Sequence, residues 1–172
     1  MSDKIDNLKF ILTRLDSYIE SSQNKSNLYL VLNTVVLGGV ITIISVLNDL
    51  NCNQSQNSLL LFIAIASIIS ILITLLAIKP YTETSIKKKS VYFFADIAKC
   101  TSLEQYQKLF NKSSDGDLAN DISAQIYSIS IGLNRKYKRL RIVGFIIAGE
   151  FFLLSIWIVT LLNKLITIPK IV

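Results

Sequence analysis

The 172-residue sequence contains no histidine and has only two cysteines, two prolines and one tryptophan. Without histidine the chain cannot form a Ser–His triad, a histidine general acid–base pair or a histidine metal site. Neither Cys52 nor Cys100 belongs to a CxxC motif, and no glycine-rich phosphate-binding loop occurs. The usual constellations of an enzyme are therefore absent. We expect a protein that is not an enzyme and that has no metal site and no cofactor.

Long apolar runs are what the sequence does have, at residues 28–47, 59–78 and 142–162. An α-helix needs about 20 predominantly apolar residues to cross the hydrocarbon of a bilayer. No segment shows the alternation of apolar and polar residues that is typical of a strand. The sequence therefore predicts an all-α integral membrane protein with three transmembrane helices, forming a single membrane domain over residues 1–172.

Two polar residues stand out within these apolar runs, Asn33 in the first and Glu150 in the third. A carboxylate near the middle of the bilayer costs about 2–3 kcal/mol. Glu150 either faces a polar seam or pore, or is a protonated acid bonded to a neighbouring helix. Asn33 has the alternative of an interhelical hydrogen bond, which contributes about 0.6–2 kcal/mol. If the protein conducts ions, we expect these two residues to line the path.

The basic residues predict the orientation in the membrane. Residues 1–27 hold four Lys or Arg, residues 48–58 none, residues 79–141 twelve and residues 163–172 two. By the positive-inside rule the N-terminus and the long middle segment are cytoplasmic, and the C-terminus lies outside the cell. The net charge of +6 then faces the anionic lipid of the inner leaflet, and we expect no nucleic-acid partner.

The cytoplasmic segments, residues 2–27 and 81–141, read as helices that extend the spans into a cytoplasmic helical bundle. In the first segment Ile5, Leu8, Leu12, Leu15 and Ile19 are spaced alternately three and four residues apart, which is the seam of a helix pair. In the second, a similar stripe is formed by Ile122, Ile126, Ile129, Leu133 and Leu140. We predict that the first stripe packs on the residues from Ile122 to Leu133, in the same chain or a neighbouring one. No proline or glycine lies between Ser2 and the first span, so one unbroken helix is expected there.

The segment between the second and third spans is predicted to contain three helical pieces. Ser85–Lys99 is expected to be helical, followed by a capping box at Thr101–Glu104 that opens a short helix. A turn is expected at Asn111–Asp117, and the last helix is expected to continue into the third span.

Four short motifs carry a resemblance to a known family. They are KSNLYLVLNTVVL at Lys25–Leu37, FFADIA at Phe93–Ala98, QIY at Gln125–Tyr127 and KYKRL at Lys136–Leu140. In this order around three spans the chain resembles the Pycsar membrane effectors of bacterial antiphage defence, and more broadly the SLATT-type membrane effectors. The resemblance implies activation by cCMP or cUMP, which a partner pyrimidine cyclase makes during infection. It further implies loss of membrane integrity and abortive infection.

A cyclic mononucleotide needs a cation for its phosphate, a surface on which its base stacks and polar groups that read the base edge. Candidates in the cytoplasmic helices are Lys87, Lys88, Lys89, Tyr92, Phe93, Asp96, Gln125, Tyr127, Arg135 and Tyr137. Each has a structural alternative. The lysines would contact lipid headgroups, the aromatic side chains would be bundle core, and Asp96 would form a salt bridge with Arg135 or Lys136.

Two classes of function stay open at this point. In the first, the protein is a ligand-gated effector that assembles as a homo-oligomer and disrupts the lipid bilayer. In the second, it is a membrane anchor or scaffold whose helical bundle binds a protein partner.

Overall fold

The computed structural model describes residues 2–49, 54–79 and 90–167, and every element in these ranges is an α-helix. In chain order the helices are α1 (Ser2–Asp49), α2 (Gln54–Ile78), α3 (Phe94–Ile97), α4 (Leu103–Lys112) and α5 (Asp115–Thr167). The predicted all-α class is confirmed.

Three of these helices, α1, α2 and α5, are long and apolar enough to cross a membrane, and they contain the three predicted spans. α1 has 48 residues and α5 has 53, more than twice the length that a span needs. No proline interrupts either helix, so each span continues without a break into a polar extension. The predicted unbroken helix from Ser2 into the first span is therefore confirmed, and the chain is a membrane protein.

The chain forms two compact units. The first unit comprises residues 1–22 and 79–136, and the second comprises residues 23–78 and 137–172. The single membrane domain over residues 1–172 stays a prediction. In the second unit the core is apolar and is formed by α1, α2 and α5, with Val40, Leu60, Ile63 and Trp157 among its buried members.

The buried side chains of α1 and α5 follow one spacing, alternately three and four residues. In α1 the fully buried positions are Ser22, Ser26, Asn33, Val36, Val40 and Leu47. All of them continue the spacing of the seam predicted for Ile5–Ile19, whose members Ile5, Leu8, Leu12 and Leu15 are half-buried. The fully buried positions in α5 obey the same rule from Ala119 to Trp157. This seven-residue repeat is the packing pattern of coiled coils, and it is more extensive than the sequence indicated.

The predicted pairing of the Ile5–Ile19 seam with the stripe from Ile122 to Leu133 stays a prediction. Both stripes belong to the first unit, Ile122 is 3% exposed, and Ile126, Ile129 and Leu133 are half-buried. Ile19 is the weakest member, at 38% exposure. The pairing requires two amphipathic stripes that are shielded from solvent within one unit, and the partial burial of these residues agrees with that requirement.

The segment before α4 differs from its prediction. Within the described part of Ser85–Lys99, only one turn, Phe94–Ile97, is helical, and residues 85–89 lie outside the described ranges. The physical reason is the hydroxyl of Ser90, which accepts hydrogen bonds from the backbone N–H groups of Tyr92 (3.1 Å) and Phe93 (2.9 Å). A serine that bonds nearby backbone groups starts a turn or helix and does not extend one.

The start of α4 is displaced by one residue from the predicted capping box. Ser102 is the N-cap, and its side chain accepts a hydrogen bond from the backbone N–H of Gln105 at 3.2 Å. The Gln105 side chain accepts in return from the backbone N–H of Thr101 at 2.7 Å. The reciprocal partner is therefore Gln105 and not Glu104. The predicted turn at Asn111–Asp117 is shorter than expected, because α5 already begins at Asp115.

Candidate functional site

The second unit has its polarity reversed relative to a water-soluble bundle. Along its membrane spans many of the exposed large side chains are apolar, as in α2, where Leu61, Phe62, Leu72 and Leu76 are each more than half exposed. Its buried positions include a series of polar side chains: Ser26, Asn33, Ser67, Ser70, Thr74 and Glu150. Contact between lipid tails and apolar side chains has no free-energy cost. A polar side chain that faces the lipid does have a cost, so polar groups within a membrane lie inside the protein. The exposed apolar surface is therefore the surface that contacts lipid.

Four of the buried polar residues carry unpartnered oxygen atoms. They are Asn33 Oδ1, Ser67 Oγ, Ser70 Oγ and both carboxylate oxygens of Glu150. Asn33 and the two serines are 0% exposed, and Glu150 is 2% exposed. The Ser67 hydroxyl lies near the Glu150 carboxylate, but it does not reach hydrogen-bond geometry. Buried polar groups in proteins are nearly always paired, so this group of oxygens requires an explanation.

Contacts along the helices show that α1 and α5 run parallel. Lys25 Nζ lies 5.4 Å from the ring centre of Tyr137, and Tyr29 Oη lies 3.1 Å from the position that a Cβ on Gly144 would occupy. Asn33 is four residues beyond Tyr29 and Glu150 is six beyond Gly144. At 1.5 Å per residue, Asn33 and Glu150 differ by only about 3 Å in height along the axis.

α2 runs antiparallel to α5 and places Ser67 and Ser70 at about the same height along the axis as Asn33 and Glu150. Arg139 donates a hydrogen bond to the Leu76 carbonyl at 2.5 Å, and Ser67 lies near Glu150. Ser70 is one helical turn from Ser67 towards Leu76, about 4.5 Å along the axis, and this puts it level with Asn33. The five unpartnered oxygens therefore occupy a layer about 5 Å thick, which we call the polar layer: Asn33, Ser67, Ser70 and Glu150.

The sequence pointed to part of this layer. It singled out Asn33 and Glu150 as polar outliers, and the structure places them at one level of a single chain. Ser67 and Ser70 were assigned only to helix packing. Their signal was their position, since both lie on the same three-and-four spacing as the buried residues Ile63 and Thr74 of α2.

The first unit contains a second polar group, centred on Ser90. Its hydroxyl donates to Asp121 Oδ2 at 2.9 Å and accepts from Gln125 Nε2 at 2.7 Å. Asp121 also accepts from the backbone N–H of Val91 at 2.9 Å. The Ser90 hydroxyl also accepts from the backbone N–H groups of Tyr92 and Phe93. These bonds together fasten the chain at residues 90–93 to α5. We call this group the Ser90 junction; sequence reasoning missed Ser90 and Asp121.

Asp96 belongs to the Ser90 junction as well. It is buried, accepts a hydrogen bond from the Ser90 backbone N–H at 3.2 Å, and pairs with Lys99 at 2.8 Å. Asp96 thus forms a salt bridge with Lys99, a partner that was not among those predicted. Asp96 and Gln125 are thus brought together by structural bonds around one serine.

The other predicted ligand residues are spread out. Tyr127 is 66% exposed, Tyr92 is 41% exposed, Arg135 is exposed and Phe93 is half-buried. Tyr127 and Arg135 are eight residues apart on α5, about 12 Å along the axis, so no shared pocket follows from their positions. The predicted ligand residues Lys87, Lys88 and Lys89 lie outside the described residues.

At the end of this stretch, Tyr137 contacts Lys25 through its ring and is half-buried. Partial burial lowers the pKa of the neighbouring Lys136, because an ammonium ion loses hydration when it is buried. Among the described residues no group of three His, Cys, Asp or Glu side chains is placed to bind a metal ion.

Comparison with known proteins gives one match. A family model described as the Pycsar effector protein domain matches residues 7–163. No curated protein and no solved structure matches the chain. The matched range includes all three predicted spans, the polar layer and the Ser90 junction.

Proposed function

Because the chain belongs to the Pycsar effector family and is thereby an effector of antiphage defence, we propose that a cyclic pyrimidine nucleotide activates it. The signal, cCMP or cUMP, would be made by a partner pyrimidine cyclase during infection. The activated protein would impair the bacterial inner membrane and so cause abortive infection. No chemical step is required of the protein, and we propose that it is not an enzyme.

The observation that carries the membrane part of this proposal is the polar layer. A span needs only apolar side chains to be stable in a bilayer, and each buried polar group without a partner has a cost. Ionisable residues within spans are typically found where ions or protons pass. Asn33 and Glu150 therefore support a role beyond anchoring.

Permeation is proposed to require several chains. A single chain contributes one Glu150, and its carboxylate lies inside its own three-helix packing. A continuous polar path needs polar groups around a common axis, which cyclic symmetry supplies when identical chains assemble. Gly38 and Gly39 leave the space beside them open, with no atom within 4 Å of a Cβ built on either, so a helix of another chain could approach α1 closely there.

The ligand is proposed to act on the first unit, next to the Ser90 junction. Lys87, Lys88 and Lys89 directly precede Ser90 in the sequence and provide the cations that a cyclic phosphate needs. Ser90 is hydrogen-bonded to Asp121 and Gln125 of α5, and α5 runs unbroken to Thr167. A change at the lysines would therefore act directly on the helix that carries Glu150.

The energetic requirement on such a switch is specific. A ligand shifts a closed–open equilibrium only through its different affinities for the two states. To change the ratio from 1:99 to 99:1, the nucleotide must bind the open state about 10⁴-fold more tightly, equivalent to about 5.5 kcal/mol. The resting protein is therefore poised within a few kcal/mol of opening.

The test is to measure membrane potential in cells after production of the cyclic nucleotide, for the parent protein, Glu150→Leu and Ser155→Leu. Ser155 is the matched control, because it is an exposed polar residue five positions further along the same helix. We expect Glu150→Leu to keep its expression level and its nucleotide binding but to lose depolarisation, whereas Ser155→Leu behaves as the parent. Depolarisation by Glu150→Leu at the parent level would refute the role of the polar layer.

The alternative function, a scaffold that binds a protein partner, is favoured by α4. Its apolar residues Leu103, Leu109 and Phe110 are 69%, 37% and 40% exposed. Calorimetry of the detergent-solubilised chain with a panel of cyclic nucleotides separates the two functions. Binding of cCMP or cUMP, with no binding of cAMP, supports the effector; absence of binding to all of them supports the scaffold.

A further inference from the structure

The polar layer of one chain has the composition of a cation site. It offers five oxygen atoms without hydrogen-bond partners, from one carboxylate, one amide and two hydroxyls. Oxygen ligands of this kind suit hard cations, whereas zinc, copper and nickel prefer nitrogen and sulfur ligands. Among the described residues no hydrogen-bond donor lies at hydrogen-bond geometry to the Glu150 carboxylate, although the Ser67 hydroxyl is near it.

The charge of the site is not balanced by the protein. Lys25 is eight residues from Asn33, Lys79 is twelve from Ser67 and Arg139 is eleven from Glu150. At 1.5 Å per residue, the Cα atoms of these basic residues lie about 12–18 Å along the axis from those of the polar layer. An ionised carboxylate without a counter-charge is very unfavourable in a low-dielectric interior. The Glu150 carboxyl group is therefore neutralised either by a proton or by a cation that enters the polar layer.

The geometry points to a binding site for a monovalent alkali cation, such as Na⁺, formed by Asn33 Oδ1, Ser67 Oγ, Ser70 Oγ and the Glu150 carboxylate within one chain. One positive charge neutralises the single carboxylate, whereas a divalent ion would leave a net charge inside the membrane unit. This inference concerns each chain by itself and holds whether or not the protein forms a conducting assembly.

Such a site would make the stability of the second unit depend on the cation. A ligand that binds only the folded state raises the free energy of unfolding with the logarithm of its concentration. For a chain of this size, each tenfold rise above the dissociation constant should raise Tm by about 3–6 °C. The same concentration of choline, which is too large to fit among packed helices, should have no such effect.

The experiment is thermal unfolding of the 172-residue chain in detergent at constant ionic strength, with NaCl or KCl replacing choline chloride. We expect Tm to rise with Na⁺ or K⁺ in the parent protein and in the control Ser155→Ala. The rise should disappear in Glu150→Gln. Ser67→Ala keeps the carboxylate but removes one ligand. This variant should therefore require an at least threefold higher cation concentration than the parent to reach the same rise in Tm.

The outcomes are decisive in either direction. If the parent has the same Tm in all three salts, no alkali cation binds and the inference is overturned. An accompanying rise of Tm on acidification would then show that the carboxyl group holds a proton. If Glu150→Gln does not fold, Ser67→Ala decides: a cation dependence identical to that of the parent also overturns the assignment.

Discussion

Replacement of Ser90 by alanine should weaken the first unit through several hydrogen bonds at once. The hydroxyl accepts from two backbone N–H groups and from Gln125, and it donates to Asp121. A net hydrogen bond contributes about 0.5–1.5 kcal/mol, and a buried group left unpaired costs about 1–3 kcal/mol. Since the two N–H groups are only partly buried, we expect Ser90→Ala to lower the free energy of unfolding of this unit by about 2–4 kcal/mol.

Hydrogen exchange measured by mass spectrometry provides the assay, because it reports opening of this unit separately from the rest of the chain. Amides at residues 92–97 should exchange about 30- to 1,000-fold faster in Ser90→Ala, which corresponds to the same loss of free energy. Ser17→Ala is the matched control, since Ser17 is exposed and bonds only locally, to the Thr13 carbonyl. Less than a threefold change in exchange at residues 92–97 would refute the view that Ser90 fastens this segment to α5.

Three further predictions concern other parts of the chain. Leu12→Asp should destabilise the first unit by about 2–3 kcal/mol, because it places a charge on a half-buried seam. The control Phe10→Asp, at a position that is 62% exposed, should unfold as the parent does. Equal denaturation midpoints for the two variants would contradict the burial of the seam. Ser102→Ala should cost about 1 kcal/mol and loosen α4 as seen by faster amide exchange at Gln105, and unchanged exchange would show that the cap contributes nothing. A reporter fused after Val172 should be active only if it functions outside the cytoplasm, and activity of a cytoplasmic reporter there would reverse the orientation.

The long helices could be predicted from sequence because their determinants are local. Apolar runs of about 20 residues identify a span, and the absence of proline predicts that α1 and α5 continue beyond it. The spacing of Ile5 to Ile19 gave the buried face of α1 for its first turns. The rest of that face was not apparent, because serine and asparagine replace aliphatic residues at Ser22, Ser26 and Asn33. In a membrane helix, serine and asparagine are common at interfaces with other helices, so these residues also belong to the buried face.

The Ser90 junction could not be predicted because its bonds join residues far apart in sequence. Ser90 bonds to side chains 31 and 35 positions away, and no local pattern specifies such pairs. The Asp96–Lys99 pair is different, because its members are only three residues apart, a spacing at which a local pair could have been predicted from the sequence. Glu150 was visible as an outlier, but its level relative to Ser67 and Ser70 depends on how α2 is registered against α5, and this register is set by packing.

The seven-residue repeat of α5 has a consequence for how the length of this helix can change during evolution. Each residue turns the helix by about 100°, so removal of one residue near Lys136 would rotate every later side chain by that angle. Glu150 and Trp157 would then face lipid, and apolar neighbours would take their buried positions. Removal or insertion of seven residues restores the facing almost completely. We therefore expect functional homologues with a longer or shorter α5 to differ from this chain by multiples of seven residues between Ala119 and Val143.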